Sequence, residues 1–364
     1  FGTRGKVHQA KVFVCGLGYF ELYVNGQRIG DDLLVPGMTD YTERHDLDKG
    51  PIAIEGNMAG HRVLYLAHDV TGQMRKGQNT LGVILGNGFY SPVNLNIPLS
   101  RFGEKCLRLQ LQLTYEDGTM ETVVSDGTWF TKPSAITYNS VHGGEIYNAN
   151  LETPLWATTQ DTSEGWHGVK CVDGPTGEMC AHTAPTDKVT EVLKPISLHR
   201  REDGAWVADF GKEIAGWLHL RGLKGGKGDT LRVDYVSESV QGNMRYVMDG
   251  SGKEEYAPRF TWFVFSKAVI SGIKELSTKN LTAEAVNTDV ARAADFHTTD
   301  TLFNRINEIW QRSQLDNMHG GIASDCPHRE RLPYTGDGQA ACQTVMCNFD
   351  AAAFYQKWIR DIRD

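Results

Sequence analysis

The chain lacks several features that would assign it to a class at once. It has 12 prolines against 39 glycines in 364 residues, which excludes a collagen-like or proline-rich polymer and suits a turn-rich fold. Its seven cysteines include no Cys-x-x-Cys pair, so the usual frame of a structural zinc cluster is missing. They are read as buried free thiols. Basic residues number 37 against 45 acidic ones, for a formal net charge of −8. That is the reverse of a nucleic-acid-binding face. No apolar run approaches the ~20 residues of a spanning helix, so a soluble chain with no membrane partner is expected. There is no Gly-x-Ser-x-Gly elbow. Gly16-Leu-Gly18 lacks the third glycine of a dinucleotide fingerprint. Lys224-Gly-Gly-Lys-Gly228 has neither the spacing nor the Ser/Thr of a phosphate loop, and reads as a hairpin loop. The chain opens at Phe1, not Met, which reads as a processed or truncated start and leaves the compartment unread.

An apolar content of 40% with 10% aromatics is present, enough for packed cores. The first half reads as β. Phe20-Glu-Leu-Tyr-Val24 alternates and runs into Asn25-Gly26, two residues tolerant of positive φ that suit a tight hairpin. From Leu107 to Leu113 every second residue is leucine, then Glu116-Asp-Gly-Thr119 turns and Glu121–Val124 returns. That pattern predicts one buried and one wet face. A stretch near 155–190, rich in Thr, Gly, Pro and Asp, marks a boundary, and strands resume at Trp206–Phe210. The predicted units are an N-terminal β-sandwich over 1–185, a second β-sandwich over 186–292, and a helical segment over 293–364.

The period changes near residue 293. Leu302, Phe303, Ile306, Ile309 and Trp310 share one helical face, with Thr299 or Asp300 as cap. Phe354, Trp358 and Ile362 recur four apart, and Asp350 is the expected cap of that helix. Both faces need a partner to pack against.

Between these helices lies Ser324-Asp-Cys-Pro-His-Arg-Glu-Arg-Leu-Pro-Tyr-Thr-Gly-Asp-Gly338, the densest polar segment of the chain. Asp325, Glu330 and Asp337 bring three carboxylates into one stiff loop. Glycosyl hydrolysis needs a carboxyl kept protonated for the leaving oxygen, and neighbouring carboxylates raise its pKa. The competing reading is a loop whose acids only pair with Arg329 and Arg331. His319 and His328 near Cys326 match no common zinc spacing. Trp206, Trp217, Trp262, Trp310 and Trp358 read as core, while Tyr334, inside the acidic loop, is the aromatic placed to meet a sugar ring.

Asp325-Cys-Pro-His-Arg-Glu-Arg-Leu-Pro-Tyr-Thr-Gly-Asp337 resembles the catalytic segment of the bacterial α-L-rhamnosidases of glycoside hydrolase family 78. Gly18–Gly26, Val35–Tyr41, Asp69-Val-Thr71, Leu85–Tyr90 and Gly144-Glu-Ile-Tyr147 are similar to that family's N-terminal sandwich. Asp209–Trp217 resembles the opening of its next β domain, and Asn304–Asp364 the start of its (α/α)6 catalytic barrel. The implied fold is multidomain: two antiparallel β-sandwiches, then the first barrel helices. The implied activity is inverting hydrolysis of terminal α-L-rhamnosides, with a rhamnose-containing oligosaccharide or glycoside as substrate. By the resemblance Glu330 is the general acid, and Asp325, Arg329, Tyr334 and Asp337 bind the sugar. Tyr334 stands where the family often has Trp, and the family often has one more residue between Cys-Pro and the acid. Arg329 and Arg331 flank Glu330 and would lower its pKa. An acid there needs Asp325, Asp337 and burial to outweigh them, or arginine heads that point away.

The general base of the family maps to no residue here, so the chain is expected to be a fragment, inactive without the remainder of the barrel. No cofactor is required. Some members bind rhamnose through calcium on a sandwich, which makes Asp31, Asp32 and Asn87 candidate oxygen ligands; Asp31-Asp32 is equally a turn. A periplasmic or extracellular location follows only from the resemblance. The reading from another class is a non-catalytic carbohydrate-binding protein with a degenerate loop.

Overall fold

The computed structural model describes residues 1–41, 62–93, 101–158 and 164–364. These form two β regions and three α-helices. No helix among them is long and apolar enough to cross a membrane.

In the first β region a five-stranded sheet runs in the order Glu178–Ala181, Arg62–Asp69, Val7–Leu17, Cys106–Tyr115, Met120–Val124. A three-stranded sheet of Gln27–Arg28, Tyr19–Val24 and Leu81–Gly86 packs on it. The leucine alternation works as expected: Leu109, Leu111 and Leu113 are buried and Arg108 and Gln110 exposed. These leucines meet Val12, Val14, Phe20, Leu22 and Val24 in one cluster, each contributing about 1.5–3 kcal/mol by leaving water. Asn25 and Gly26 both take positive φ, 50° and 85°, and pair Val24 with Gln27. This is the turn whose twist matches that of its strands.

The second region is one ten-stranded sheet. Its main path is Ile136–Ser140, Gly144–Asn148, Asn243–Val247, Thr230–Val236, Phe263–Ser271, Trp206–Leu223, Leu281–Thr288, Asp187–Leu193. Ser197–Arg200 and Glu254–Tyr256 pair on the long strand Trp206–Leu223. Two points differ from the sequence reading. The hairpin 136–148 joins this sheet, with Gly144–Asn148 running parallel to Asn243–Val247. The loop at 224–229 is not a hairpin loop, because Phe263–Ser271 lies between the two strands it connects. Gly216 on the long strand is a close-approach position: a Cβ there would sit 1.9 Å from the Glu284 carbonyl oxygen.

Helix α1 spans Thr301–Asp316, α2 Thr335–Asn348 and α3 Ala352–Arg363. Asp300 caps α1 by accepting from the Leu302 amide at 2.8 Å. The apolar face of α1 is largely open: Leu302, Phe303, Ile306 and Ile309 are 63%, 56%, 53% and 47% exposed. The helix is held by its other side: Trp310 and Leu315 pack against the cluster around Phe349 and Phe354, Gln311 donates to Asn348 Oδ1 at 2.9 Å, and Asp316 Oδ1 accepts from the Ala215 amide at 2.8 Å.

Helix α3 corrects one expectation. Asp350 is not its cap, because its own amide donates to the Ala291 carbonyl beside an extended Phe349–Arg292 bridge, and the helix starts after Ala351. Its apolar face has a partner: Phe354, Tyr355 and Trp358 pack with Val345, Phe349, Met318 and Ile322. Ile359 and Ile362 remain exposed. Buried Lys357 pairs with Asp361 at 2.6 Å and donates to the Met38 carbonyl. Arg62 pairs with Asp361 at 2.7 Å and with Asp364, tying α3 to the first β region.

Candidate active site

The acidic loop links the short Ile322–Ala323 strand to α2. Two prolines and a reversal at Arg331, whose φ is 57°, fold it back on itself. The Asp325 amide donates to the Leu332 carbonyl at 3.2 Å, and the Arg331 amide to the Cys326 carbonyl at 3.1 Å. That closure sets Asp325, Cys326 and Glu330 side by side, with donor atoms all within 4.8 Å of one another.

Within this trio the two carboxyls are pushed apart electrostatically. Glu330 is raised above its ordinary value, first by its hydrogen bond with Asp325, then by desolvation, against the opposing charge of Arg329. For Asp325 desolvation acts upward but is outweighed by hydrogen bonds from Glu330, Cys326 and the backbone, and its pKa is lowered. The proton balance of the pair is therefore biased toward Glu330 and away from Asp325, the direction a carboxyl pair needs for proton donation. Cys326 donates to Asp325 Oδ2 at 3.1 Å and accepts from the Glu330 amide at 3.4 Å.

The two flanking arginines behave differently. Arg329 is exposed and lies 3.5 Å from Glu330. Arg331 turns away and is fully buried. Its guanidinium lies over Trp262 at 4.7 Å, donates to the Val141 carbonyl, and reaches Gln241 Oε1 at 3.4 Å. Burial lowers its pKa to about 9. The β sheet grips the loop backbone at further points. Trp262 donates to the Pro327 carbonyl at 3.3 Å, and His142 Nε2 lies 2.9 Å from the Glu330 carbonyl.

Tyr334 is half exposed, and its phenol is raised by desolvation and then by the charges of Glu330 and Asp325. Asp337 is exposed in the first turn of α2, outside the Asp325–Cys326–Glu330 group. The tryptophans fall as read: Trp217, Trp262 and Trp358 are buried, Trp206 and Trp310 half-buried.

The trio is the one group of His, Cys, Asp and Glu among the described residues whose spacing a metal ion could span. Neither His319, stacked on Trp262 at 4.5 Å, nor His328 belongs to it. The calcium candidates are engaged by separate partners. Asp31 pairs with Lys188 at 3.0 Å, Asp32 accepts from Thr186, and Asn87 accepts from Lys105 at 2.9 Å and donates to the Asn139 carbonyl at 2.6 Å. The thiol reading needs correction. No cysteine is paired among the described residues, but only Cys15 is buried, while Cys171 and Cys347 are exposed. Sequence reasoning placed Arg331 beside Glu330 without its anchor on Trp262 and Val141, and it missed Cys326, His142 and Trp262 as parts of the site. Of those three only Cys326, next to Asp325, carried a local signal.

The family model described as the α-L-rhamnosidase N-terminal domain matches residues 5–50 and 58–191. The bacterial α-L-rhamnosidase concanavalin-like domain matches 199–287, and the bacterial α-L-rhamnosidase 6 hairpin glycosidase domain 291–364. An α-L-rhamnosidase of Formosa agariphila is 31% identical over 98% of this chain and 38% of its own length. One of Streptomyces avermitilis is 28% identical over 99% of this chain and 35% of its own. The structure of the Dictyoglumus thermophilum α-L-rhamnosidase superposes on all of this chain with a TM-score of 0.90 at 31% identity, covering 40% of that protein. The Streptomyces avermitilis enzyme complexed with L-rhamnose does so with a TM-score of 0.90 at 27% identity, covering 35%. The chain thus spans between a third and two fifths of the length of these relatives. With three models of one family following one another along nearly its whole length, the chain belongs to the bacterial α-L-rhamnosidases.

Proposed function

We propose that this chain carries the acid half of the active site of an enzyme that hydrolyses terminal α-L-rhamnosides with inversion. The observation that supports this most directly is the asymmetry of the carboxyl pair: Glu330 is raised and Asp325 lowered, within one closed loop. Glu330 is the general acid and protonates the leaving oxygen. Asp325, Asp337, Arg329 and Tyr334 hold the rhamnose ring, and their negative balance favours an oxocarbenium-like transition state. The helical segment is the start of an (α/α)6 barrel. Inversion requires a second carboxylate roughly 6.5–9.5 Å from the acid to activate water; no residue of this chain is assigned that part, and the chain by itself is inactive. The relatives bear the name α-L-rhamnosidase, and one is complexed with L-rhamnose, which supports the choice of sugar.

The test is turnover of an aryl α-L-rhamnoside and a rhamnose-containing disaccharide by the full-length gene product, wild type beside Glu330→Gln. Losing general-acid help should cost roughly 10²–10⁴-fold on the disaccharide and much less on the aryl substrate, whose leaving group needs little protonation. Equal turnover of wild type and variant on the disaccharide would remove Glu330 from the mechanism. No wild-type turnover of either would favour a carbohydrate-binding role.

A further inference from the structure

We propose that His142, on the turn of the large sheet between Ile136–Ser140 and Gly144–Asn148, is a positioning residue that aims Glu330 at its proton-donating position; this rests on reading Glu330 as the acid. The ring Nε2 lies 2.9 Å from the Glu330 carbonyl oxygen across 188 residues of sequence. A carbonyl oxygen only accepts, so Nε2 carries the hydrogen and donates it. Nδ1 is buried with no hydrogen-bond partner among the described residues, which leaves the Glu330 carbonyl as the ring's single polar anchor. Burial and the adjacent Arg331 push the imidazole down to about 4, so the ring is neutral at ordinary working pH. Phe89 meets it edge-on, with centroids 6.3 Å apart, and limits its rotation.

The geometry on the other side of Glu330 completes the case. Its amide donates to Cys326 Sγ at 3.4 Å, and the next amide, Arg331, to the Cys326 carbonyl at 3.1 Å. With the carbonyl taken by His142, both peptide planes around the Glu330 Cα are held. The Cα–Cβ direction follows from those two planes, and it sends the carboxyl toward Asp325. The turn that carries His142 is itself anchored. The Val141 carbonyl accepts from Arg331 Nη1 and from Thr261 Oγ1 at 3.1 Å, and the Gly143 amide donates to Ser140 Oγ at 3.0 Å. The second β region thus reaches the acid through one side-chain hydrogen bond to its backbone.

The experiment compares kcat on 4-nitrophenyl α-L-rhamnoside and on methyl α-L-rhamnoside for the full-length wild type, Glu330→Gln, His142→Phe and His142→Gln. The expected result for His142→Phe is a kcat loss of roughly 10-fold or more on the methyl glycoside, within about threefold on the nitrophenyl one, and little change in KM. His142→Gln keeps an N–H donor and should restore most of the methyl-glycoside rate. The ratio of the two rates is independent of how much of each preparation is folded, and His142→Leu supplies it if the Phe variant does not accumulate. An equal loss on both substrates, with Glu330→Gln still separating them, would overturn the positioning role alone. If Glu330→Gln fails to separate them, the acid reading falls and this inference with it.

Discussion

Asp316 makes the attachment of α1 to the large sheet sensitive to pH in a direction opposite to that of an ordinary surface carboxylate. Its side chain is buried and accepts the Ala215 amide at 2.8 Å. Burial raises its pKa to about 7 from 3.8, with Glu213 adding to the rise and Arg312 and Lys212 opposing it. Between these two values the folded state binds more protons than the unfolded state, so stability falls as pH rises. The contribution is complete below about pH 4 and is lost as pH climbs through about 7. Three units at 1.36 kcal/mol each set its size on the order of 4 kcal/mol. Asp316→Asn keeps the acceptor for Ala215 and removes the titration. Denaturant unfolding of the two proteins, followed by a probe on α1, should give curves that coincide near pH 4 and separate toward pH 8, with the Asn protein the more stable. Taking the difference cancels every other group that titrates alike in both. A constant offset across this range would mean that Asp316 is ionised in the fold already at pH 4, and would refute the argument.

Other consequences are quicker to test. Ile306→Gln on the open face of α1 should change the stability of the 364-residue chain by no more than about 0.5 kcal/mol. Phe354→Ala in the packed face of α3 should cost about 3–5 kcal/mol. Thermal melts of both variants check this, and similar losses would mean that the α1 face is covered in solution. That face should also bind a hydrophobic dye in this chain, and four polar substitutions at Leu302, Phe303, Ile306 and Ile309 should reduce the signal. Gly216→Ala should cost about 3 kcal/mol or more, because a Cβ 1.9 Å from the Glu284 carbonyl forces two paired strands apart. A neutral Gly216→Ala melt would show that the strands yield freely there.

Local patterns were readable wherever a two- or four-residue period met a turn signal. The Leu107–Leu113 alternation, the Asn25-Gly26 turn and the Asp300 cap all stand as the residues imply. What could not be read was pairing at a distance. Nothing in Lys224–Asp229 says that a strand forty residues later will lie between its neighbours. Nothing in Gly144–Asn148 says that it will run parallel to Asn243–Val247. An amphipathic pattern likewise names a face without naming its cover. The faces of α1 and α3 looked alike in sequence, yet Phe354 and Trp358 are buried while Leu302 and Ile306 are open.

The same distinction decides the proton balance at Glu330. In sequence Glu330 stands between two cations, and short-range electrostatics alone would keep it ionised. In the fold the pair is divided by one backbone feature, the left-handed Arg331 at φ 57°. That reversal turns the Arg331 guanidinium out of the site and onto Trp262, Val141 and Gln241. A left-handed non-glycine residue costs about 1–2 kcal/mol, which the buried hydrogen bonds and the ring contact offset. Arg329 alone then opposes Asp325, from an exposed position where solvent screens it, and the balance at Glu330 tips upward. The sheet that supplies Val141, Gln241 and Trp262 is therefore part of the electrostatics of Glu330, although none of those residues touches its carboxyl. Arg331→Gly would keep the reversal but lose this anchorage. If the reasoning holds, the pH profile of the full-length enzyme should lose its alkaline limb to lower pH as the loop relaxes and Glu330 ionises earlier. An unmoved limb with reduced stability would mean that Arg331 only holds the loop down.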